Sequence, residues 1–286
     1  MPRFSANLAY LFAELPFMER FAAAASAGFK AVEIQFPYHF PAPEIRRELD
    51  RHGLTLDLIN MPAGDWAGGE RGLAALPGRE EEFSAAVELA LEYAEALNVR
   101  KINCLSGLDP AAGLSAGGQS RPLAPGEPRA EVDKAGQEAE EETFHRVAGR
   151  LALAADRLAA SGRLLLAEGI NGFDMPGFWL DGPEKFRRMQ DALKRPNLFY
   201  QFDIYHAARM GLDIPRAIRE NFARIGHFQL ADAPGRNQPG LGQIPFAELF
   251  RLIDGLGYSG YIGLEYAPLP DSRASLGWIA QLGCAL

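Results

Sequence analysis

This chain has little of what marks several common protein classes. It has two cysteines, Cys104 and Cys284, far apart in the sequence. They cannot form a disulfide framework of the kind that staples small secreted domains, and a buried thiol plus a C-terminal thiol in a reducing compartment is the expectation. Five histidines are few, and none forms an HxH or HExxH pair. No Lys/Arg run occurs, and the formal net charge is -8. Such a balance does not attract polyanions, so nucleic acid is a poor partner. No apolar run reaches the ~18 residues of a membrane span. The first residues lack the basic region, apolar core and small-residue site of a signal peptide, which makes the cytoplasm the expected location. The first strand runs into Ser5-Ala6-Asn7-Leu8-Ala9 with no Gly-rich phosphate loop, which argues against a dinucleotide-binding fold.

What is present is ordinary globular sequence: 286 residues, 48% hydrophobic and 23% charged. That length suits two small domains or one (β/α)8 barrel of roughly 250 residues with an insertion. Short apolar runs alternate with amphipathic stretches. Strands are expected at Arg3–Ala9, Ala31–Phe36, Leu54–Asn60, Lys101–Ser106, Arg163–Glu168, Leu198–Asp203, Ile225–Ala231 and Tyr261–Tyr266. Helices are expected at Leu15–Gly28, Ala42–His52, Glu80–Leu97, Glu138–Ala160, Pro183–Lys194, Ile214–Ala223 and Phe246–Leu256, with a short last one at Ser275–Leu282. In Glu80–Leu97, Phe83, Val87, Leu91, Ala94 and Leu97 form one apolar stripe. Strand–helix alternation demands a parallel sheet, and eight repeats favour a single closed TIM barrel over residues 1–286.

One segment breaks the rhythm. Gly107–Gly136 holds ten Gly or Pro in thirty residues, without apolar periodicity. It joins the fourth strand to its helix, above the end of the barrel where active sites are built. Its composition favours disorder over an ordered lid, with an effect on access to the site.

The chemistry lies at four strand ends. Glu168, Asp203, Gln229 and Glu265 each close or nearly close an apolar run. Side chains alternate along a strand, so these four point the same way as their i−2 neighbours and converge if that face is inward. Buried carboxylates cost several kcal/mol each unless paired. One shared divalent cation held by oxygen ligands is the economical partner, and Mg²⁺ or Mn²⁺ suits such a set better than Zn²⁺. His206, three residues after Asp203, is a candidate substrate contact, or merely a residue at a helix start. Arg71 and Arg236 are candidates to grip a small substrate's carboxylate, or to staple loops.

Several runs resemble the hydroxypyruvate isomerase family of xylose-isomerase-like barrels. They are Arg3-Phe-Ser-Ala-Asn-Leu8, Glu70-Arg-Gly-Leu-Ala-Ala-Leu-Pro-Gly-Arg79, Asp203-Ile-Tyr-His206, His227-Phe-Gln-Leu-Ala-Asp-Ala-Pro-Gly-Arg236 and Tyr261-Ile-Gly-Leu-Glu-Tyr266. The likeness spans nearly the whole chain outside Gly107–Gly136. It implies that Glu168, Asp203, Gln229 and Glu265 bind the metal, that Glu168 and Glu265 are the acid/base pair, and that Asn7 in the opening run contacts substrate. The family commonly reads Arg-His-Glu-Pro and Gly-Glu-Ile-Asn-Tyr where this chain has Arg236-Asn-Gln-Pro239 and Gly242-Gln-Ile-Pro-Phe246, and often Gln where Ala208 stands.

The expected activity is therefore a metal-dependent isomerisation of a small hydroxy-oxo acid, hydroxypyruvate or a 2-oxo-tetronate, through an enediolate. A ketose 3-epimerase shares the metal and both Glu residues, although such enzymes usually carry His at the Gln229 position. A noncatalytic sugar-acid-binding barrel is the reading from another class. The partner is a small molecule, with neither nucleic acid nor membrane expected, and a homo-oligomer is compatible with the sequence.

Overall fold

The structure is a computed structural model that describes residues 2–110 and 134–286. The segment 111–133, most of the Gly/Pro-rich insertion, lies outside the described residues. Eight parallel strands close into a barrel in chain order. They are β1 Arg3–Asn7, β2 Ala31–Ile34, β3 Thr55–Asn60, β4 Lys101–Cys104, β5 Leu164–Glu168, β6 Leu198–Asp203, β7 Ile225–Leu230 and β8 Tyr261–Leu264. Closure is the pairing of β1 with β8, in register Phe4↔Ile262 and Ser5↔Gly263.

The helices are α1 Arg20–Ala27, α2 Ala42–His52, α3 Glu80–Ala96, α4 Lys134–Ala159, α5 Pro183–Leu193, α6 Ile204–Arg209, α7 Ile214–Asn221, α8 Phe246–Gly255, α9 Ser272–Ser275 and α10 Gly277–Gln281. Local chemistry sets their ends. In α2 a Pro opens the first turn, Glu44 sits in that turn, Arg51 and His52 sit in the last, and Gly53 (φ 62) ends the helix in the left-handed region. Among the described residues no helix is long and apolar enough to cross a membrane.

The outward faces of the strands are apolar and pack under the helices. Phe4 stacks edge-on against Phe250 of α8 and Trp278 of α10, and Tyr200 meets Phe186 of α5. The inward faces are polar: Ser5, Asn7, Glu33, Lys101, Asn103, Glu168, Gln201, Asp203, His227 and Gln229 are all buried.

Most element boundaries lie within one or two residues of expectation, and four differences are larger. The first helix begins at Arg20, because Pro16 is followed by a 3-10 turn at Phe17–Glu19. The fourth begins at Lys134. A short helix, α6, starts directly on the end of β6, capped by Asp203. The expected last helix is split into α9 and α10.

Candidate active site

Glu168 ends β5, Asp203 ends β6 and Glu265 lies one residue beyond β8, so the three carboxylates meet inside the C-terminal end of the barrel. All three are buried. Asp203 does two jobs. Its Oδ1 accepts the Tyr205 N–H at 2.8 Å and so caps α6. Its Oδ2 is buried and has no hydrogen-bond partner among the described residues. That free oxygen lies 3.7 Å from His206 Nε2, and Glu168 Oε1 lies 3.9 Å from the same nitrogen. The other Glu168 oxygen accepts from Asn103 Nδ2 at 2.9 Å. Glu265 accepts from Asn7 Nδ2 at 3.1 Å and from Arg236 Nη2 at 2.5 Å.

Burial dominates the electrostatics. It lifts the Glu168 carboxyl well above the usual carboxylate range, and the charges of Glu265 and Asp203 add to it. Burial also lifts Glu265 to about 8 and Asp203 to about 6, each opposed by Arg236. His206 moves down, first through burial and then through Arg236 and Arg209. Burial works against the Arg236 charge as well, but Glu265, Tyr10, Asp203 and Glu168 outweigh it. With all three carboxyls ionised, three negative charges face one positive charge. One divalent cation would neutralise the remainder, and the partnerless Asp203 oxygen is a place where it fits.

Arg236 is held from both sides. Its guanidinium lies 5.1 Å from the ring centres of Tyr10 and of Tyr205. Its backbone is left-handed (φ 56), and its carbonyl accepts from Ala267 N–H at 2.8 Å. The loop that carries it is organised by Asp232. That carboxylate accepts four backbone N–H groups, from Ala233 (2.9 Å), Gly240 (2.9 Å), Gly242 (2.8 Å) and Ile244 (3.2 Å).

Two of the expected site residues have other partners. Gln229 is paired with Asp203 in the strand register. Its amide, however, donates to Glu33 Oε2 at 2.9 Å and accepts from Gln201 Nε2 at 2.6 Å. A carbonyl oxygen has two lone pairs, so one acceptor position of Gln229 remains. Arg71 is bonded within its own loop: Nη1 donates to the carbonyls of Trp66 and Glu70, and the guanidinium lies 4.4 Å over the Trp66 ring. These contacts are those of a loop-stapling arginine. Asn7, His206 and Arg236 do join the carboxylates.

Below this layer lies a second one that sequence reasoning missed. Glu33 Oε1 is 2.9 Å from His227 Nε2 and accepts from Ser5 Oγ at 2.6 Å. Lys101 Nζ reaches across the barrel to within 3.2 Å of His227 Nδ1 and donates to both oxygens of Asp57, at 3.1 and 2.9 Å. Burial disfavours the Glu33 charge, but His227, Ser5 and Gln229 together hold its carboxyl below the ordinary range. Glu33, Asp57 and His227 are close enough to share a metal ion, but the Lys101 ammonium already supplies the cation there. The available signal was a charged residue inside a short strand, as in Ala31-Val-Glu-Ile34 and Lys101-Ile-Asn-Cys104.

Comparisons with known proteins agree with this fold. The family model for the xylose isomerase-like TIM barrel matches residues 21–282. The 2-oxo-tetronate isomerase of Cupriavidus necator is 41% identical over 279 residues, 98% of each chain. The hydroxypyruvate isomerase of Escherichia coli K12 is 40% identical, again over 98% of each chain. A crystal structure described as AP endonuclease, family 2, from Brucella melitensis superposes with a TM-score of 0.86 at 38% identity, covering 98% of this chain and 99% of that one. Solved sugar epimerases are 16–20% identical, a likeness of fold alone.

Proposed function

From a chain that belongs to the xylose isomerase-like TIM barrels, among the hydroxypyruvate isomerases, and that is therefore an isomerase, we propose a metal-dependent isomerase of a small hydroxy-oxo acid. Hydroxypyruvate, converted to tartronate semialdehyde, or a 2-oxo-tetronate is the substrate in this reading. A cytoplasmic setting goes with it. The observation that carries the reading is the buried trio Glu168, Asp203 and Glu265, with one arginine and a partnerless carboxylate oxygen among them.

Glu168, Asp203 and Glu265, with the remaining acceptor position of Gln229, would hold one Mg²⁺ or Mn²⁺. When bound, that cation would stabilise negative charge developing on the substrate's carbonyl and hydroxyl oxygens.

The protein's own residues move the protons. Isomerisation shifts a carbonyl by one carbon and needs no external oxidant or reductant. A proton leaves the hydroxyl-bearing carbon beside the carbonyl to give an enediolate, a proton passes from the hydroxyl oxygen to the former carbonyl oxygen, and a proton returns to the former carbonyl carbon. Glu168 and Glu265 are the two carboxylates placed to take and return it. Asn103 and Asn7 each donate to one of them and fix its direction. Arg236 supplies a guanidinium for the substrate's carboxylate. His206 lies between Glu168 and Asp203, where a substrate oxygen would enter. Burial keeps competing water from these groups.

The test is turnover of hydroxypyruvate, a 2-oxo-tetronate and free ketohexoses by chelated protein, with and without added Mg²⁺ or Mn²⁺. Cation-dependent turnover of an acid is the expected result. Turnover of ketohexoses alone, or full activity in chelator, would overturn the proposal.

A further inference from the structure

His206 belongs, with Glu168 and Asp203, to a group of side chains close enough to share a metal ion. Whether it can be a ligand depends on which ring nitrogen carries the proton. A neutral imidazole has one N–H donor and one acceptor nitrogen, and the surroundings of Nδ1 decide between them.

Asn171, fully buried in the loop after β5, faces that nitrogen. Its Nδ2 lies 2.6 Å from His206 Nδ1, and its backbone N–H lies 3.4 Å from the same atom. The amide cannot be turned round. Its Oδ1 accepts two backbone N–H groups, from Phe173 at 3.0 Å and Asp174 at 2.9 Å. Its Nδ2 also donates to Asp174 Oδ2 at 3.1 Å. Reversing it would set an NH₂ against two N–H donors and its oxygen against a carboxylate. Nδ1 of His206 therefore faces only donors and must present its lone pair. The ring proton is on Nε2, the atom that points between Asp203 Oδ2 and Glu168 Oε1 at 3.7 and 3.9 Å, both longer than a hydrogen bond.

We propose that Asn171 is a positioning residue that locks His206 in the Nε2–H form, so that His206 meets the site as a hydrogen-bond donor to a substrate oxygen and does not ligate the cation. This rests on the isomerase reading of the site for its purpose, but not for its geometry. It leaves a cation shell of oxygen atoms only, which favours Mg²⁺ or Mn²⁺ over Zn²⁺.

The test is ¹⁵N NMR of the full-length chain labelled at histidine, in Mg²⁺, where the two ring nitrogens separate by protonation. With five histidines in the chain, the His206 signals are assigned by their loss in His206→Gln. Protonated Nε2 with bare Nδ1 is expected; protonated Nδ1 would overturn the proposal. The paired exchange Asn171→Asp with Asp174→Asn keeps the charge and reverses their hydrogen bond. It should move the proton to Nδ1 and raise Zn²⁺ affinity relative to Mg²⁺ by on the order of tenfold. Unchanged metal preference in a variant whose tautomer has switched would overturn the Asn171 lock as the reason that His206 does not ligate the cation. The NMR readout needs no substrate. An inactive chain with the expected tautomer would refute the isomerase reading alone, while an active chain with Nδ1–H would refute this inference alone.

Discussion

Arg236 and Glu265 are joined at 2.5 Å, so the guanidinium proposed to take a substrate carboxylate is already paired with a carboxylate of the proposed proton-transfer pair. An incoming acid must share the guanidinium with Glu265. Arg236→Gln removes a charge-assisted donor worth about 1.5–3 kcal/mol. The expected outcome is a roughly 10–100-fold rise in KM for the acid substrate, with a smaller effect on any neutral sugar. Equal loss on both substrates would mean that Arg236 serves only Glu265.

Glu168→Gln and Glu265→Gln keep shape and an oxygen but cannot take a proton. Each should lower kcat by about 10²–10⁴-fold. Glu168→Gln also removes one of several like charges from a buried site and should not lower the melting temperature of the chelated protein, whereas Glu265→Gln also breaks the buried pair with Arg236 and should lower it. Losses below tenfold in both would show that the proton travels by another route.

Cation binding should be visible without substrate. At roughly a hundredfold excess over Kd, a ligand that binds only the folded state stabilises by about 2.7 kcal/mol, a rise on the order of 5–10 °C for a chain of this size. Asp203→Asn keeps the cap on Tyr205 but replaces the partnerless oxygen with NH₂. Calorimetry should find this variant no less stable than the parent in chelator, and without the rise when Mg²⁺ or Mn²⁺ is added.

The thiols should separate by pH. Cys104 is buried on β4, and burial pushes its thiol up to about 12. At pH 8 its thiolate fraction is about 10⁻⁴. Since a raised pKa delays ionisation, its reactivity should appear only in strongly alkaline solution or on unfolding. Cys284 is partly exposed. Titration with an aromatic disulfide at pH 8 should count one thiol per native chain and two in denaturant; two in the native chain would contradict the buried placement.

Much of the fold was legible because strand and helix periodicities differ and each repeat carries its own punctuation. The inward stripe of α3 was readable from Phe83, Val87, Ala94 and Leu97, all of which are buried, with Leu91 half-buried beside them. The short helix α6 was legible only as a possible helix start at His206, because its cap, Asp203, had been read as a strand-end ligand; the same carboxylate both caps and faces the site. The convergence of Glu168, Asp203 and Glu265 followed from alternation along strands. The partner of Gln229 did not, because Glu33 lies 196 positions away in sequence and only barrel closure brings it near. Asn171 was out of reach for a similar reason: its importance lies in the direction of its hydrogen bonds, which no spacing encodes.

The Asp232 carboxylate that gathers four backbone N–H groups has a consequence for how this barrel can change. The loop's course is set by main-chain amides on Asp232 and by two side-chain staples to the segment after β8, Asn237 to the Ala267 carbonyl and Gln238 to the Leu269 backbone. The exposed side chain of Leu241 hangs from this scaffold, whose Asp232 bonds do not depend on its identity. Substrate preference can therefore drift through this loop while Arg236 stays in place, which makes the stretch after β7 a natural starting point for directed evolution.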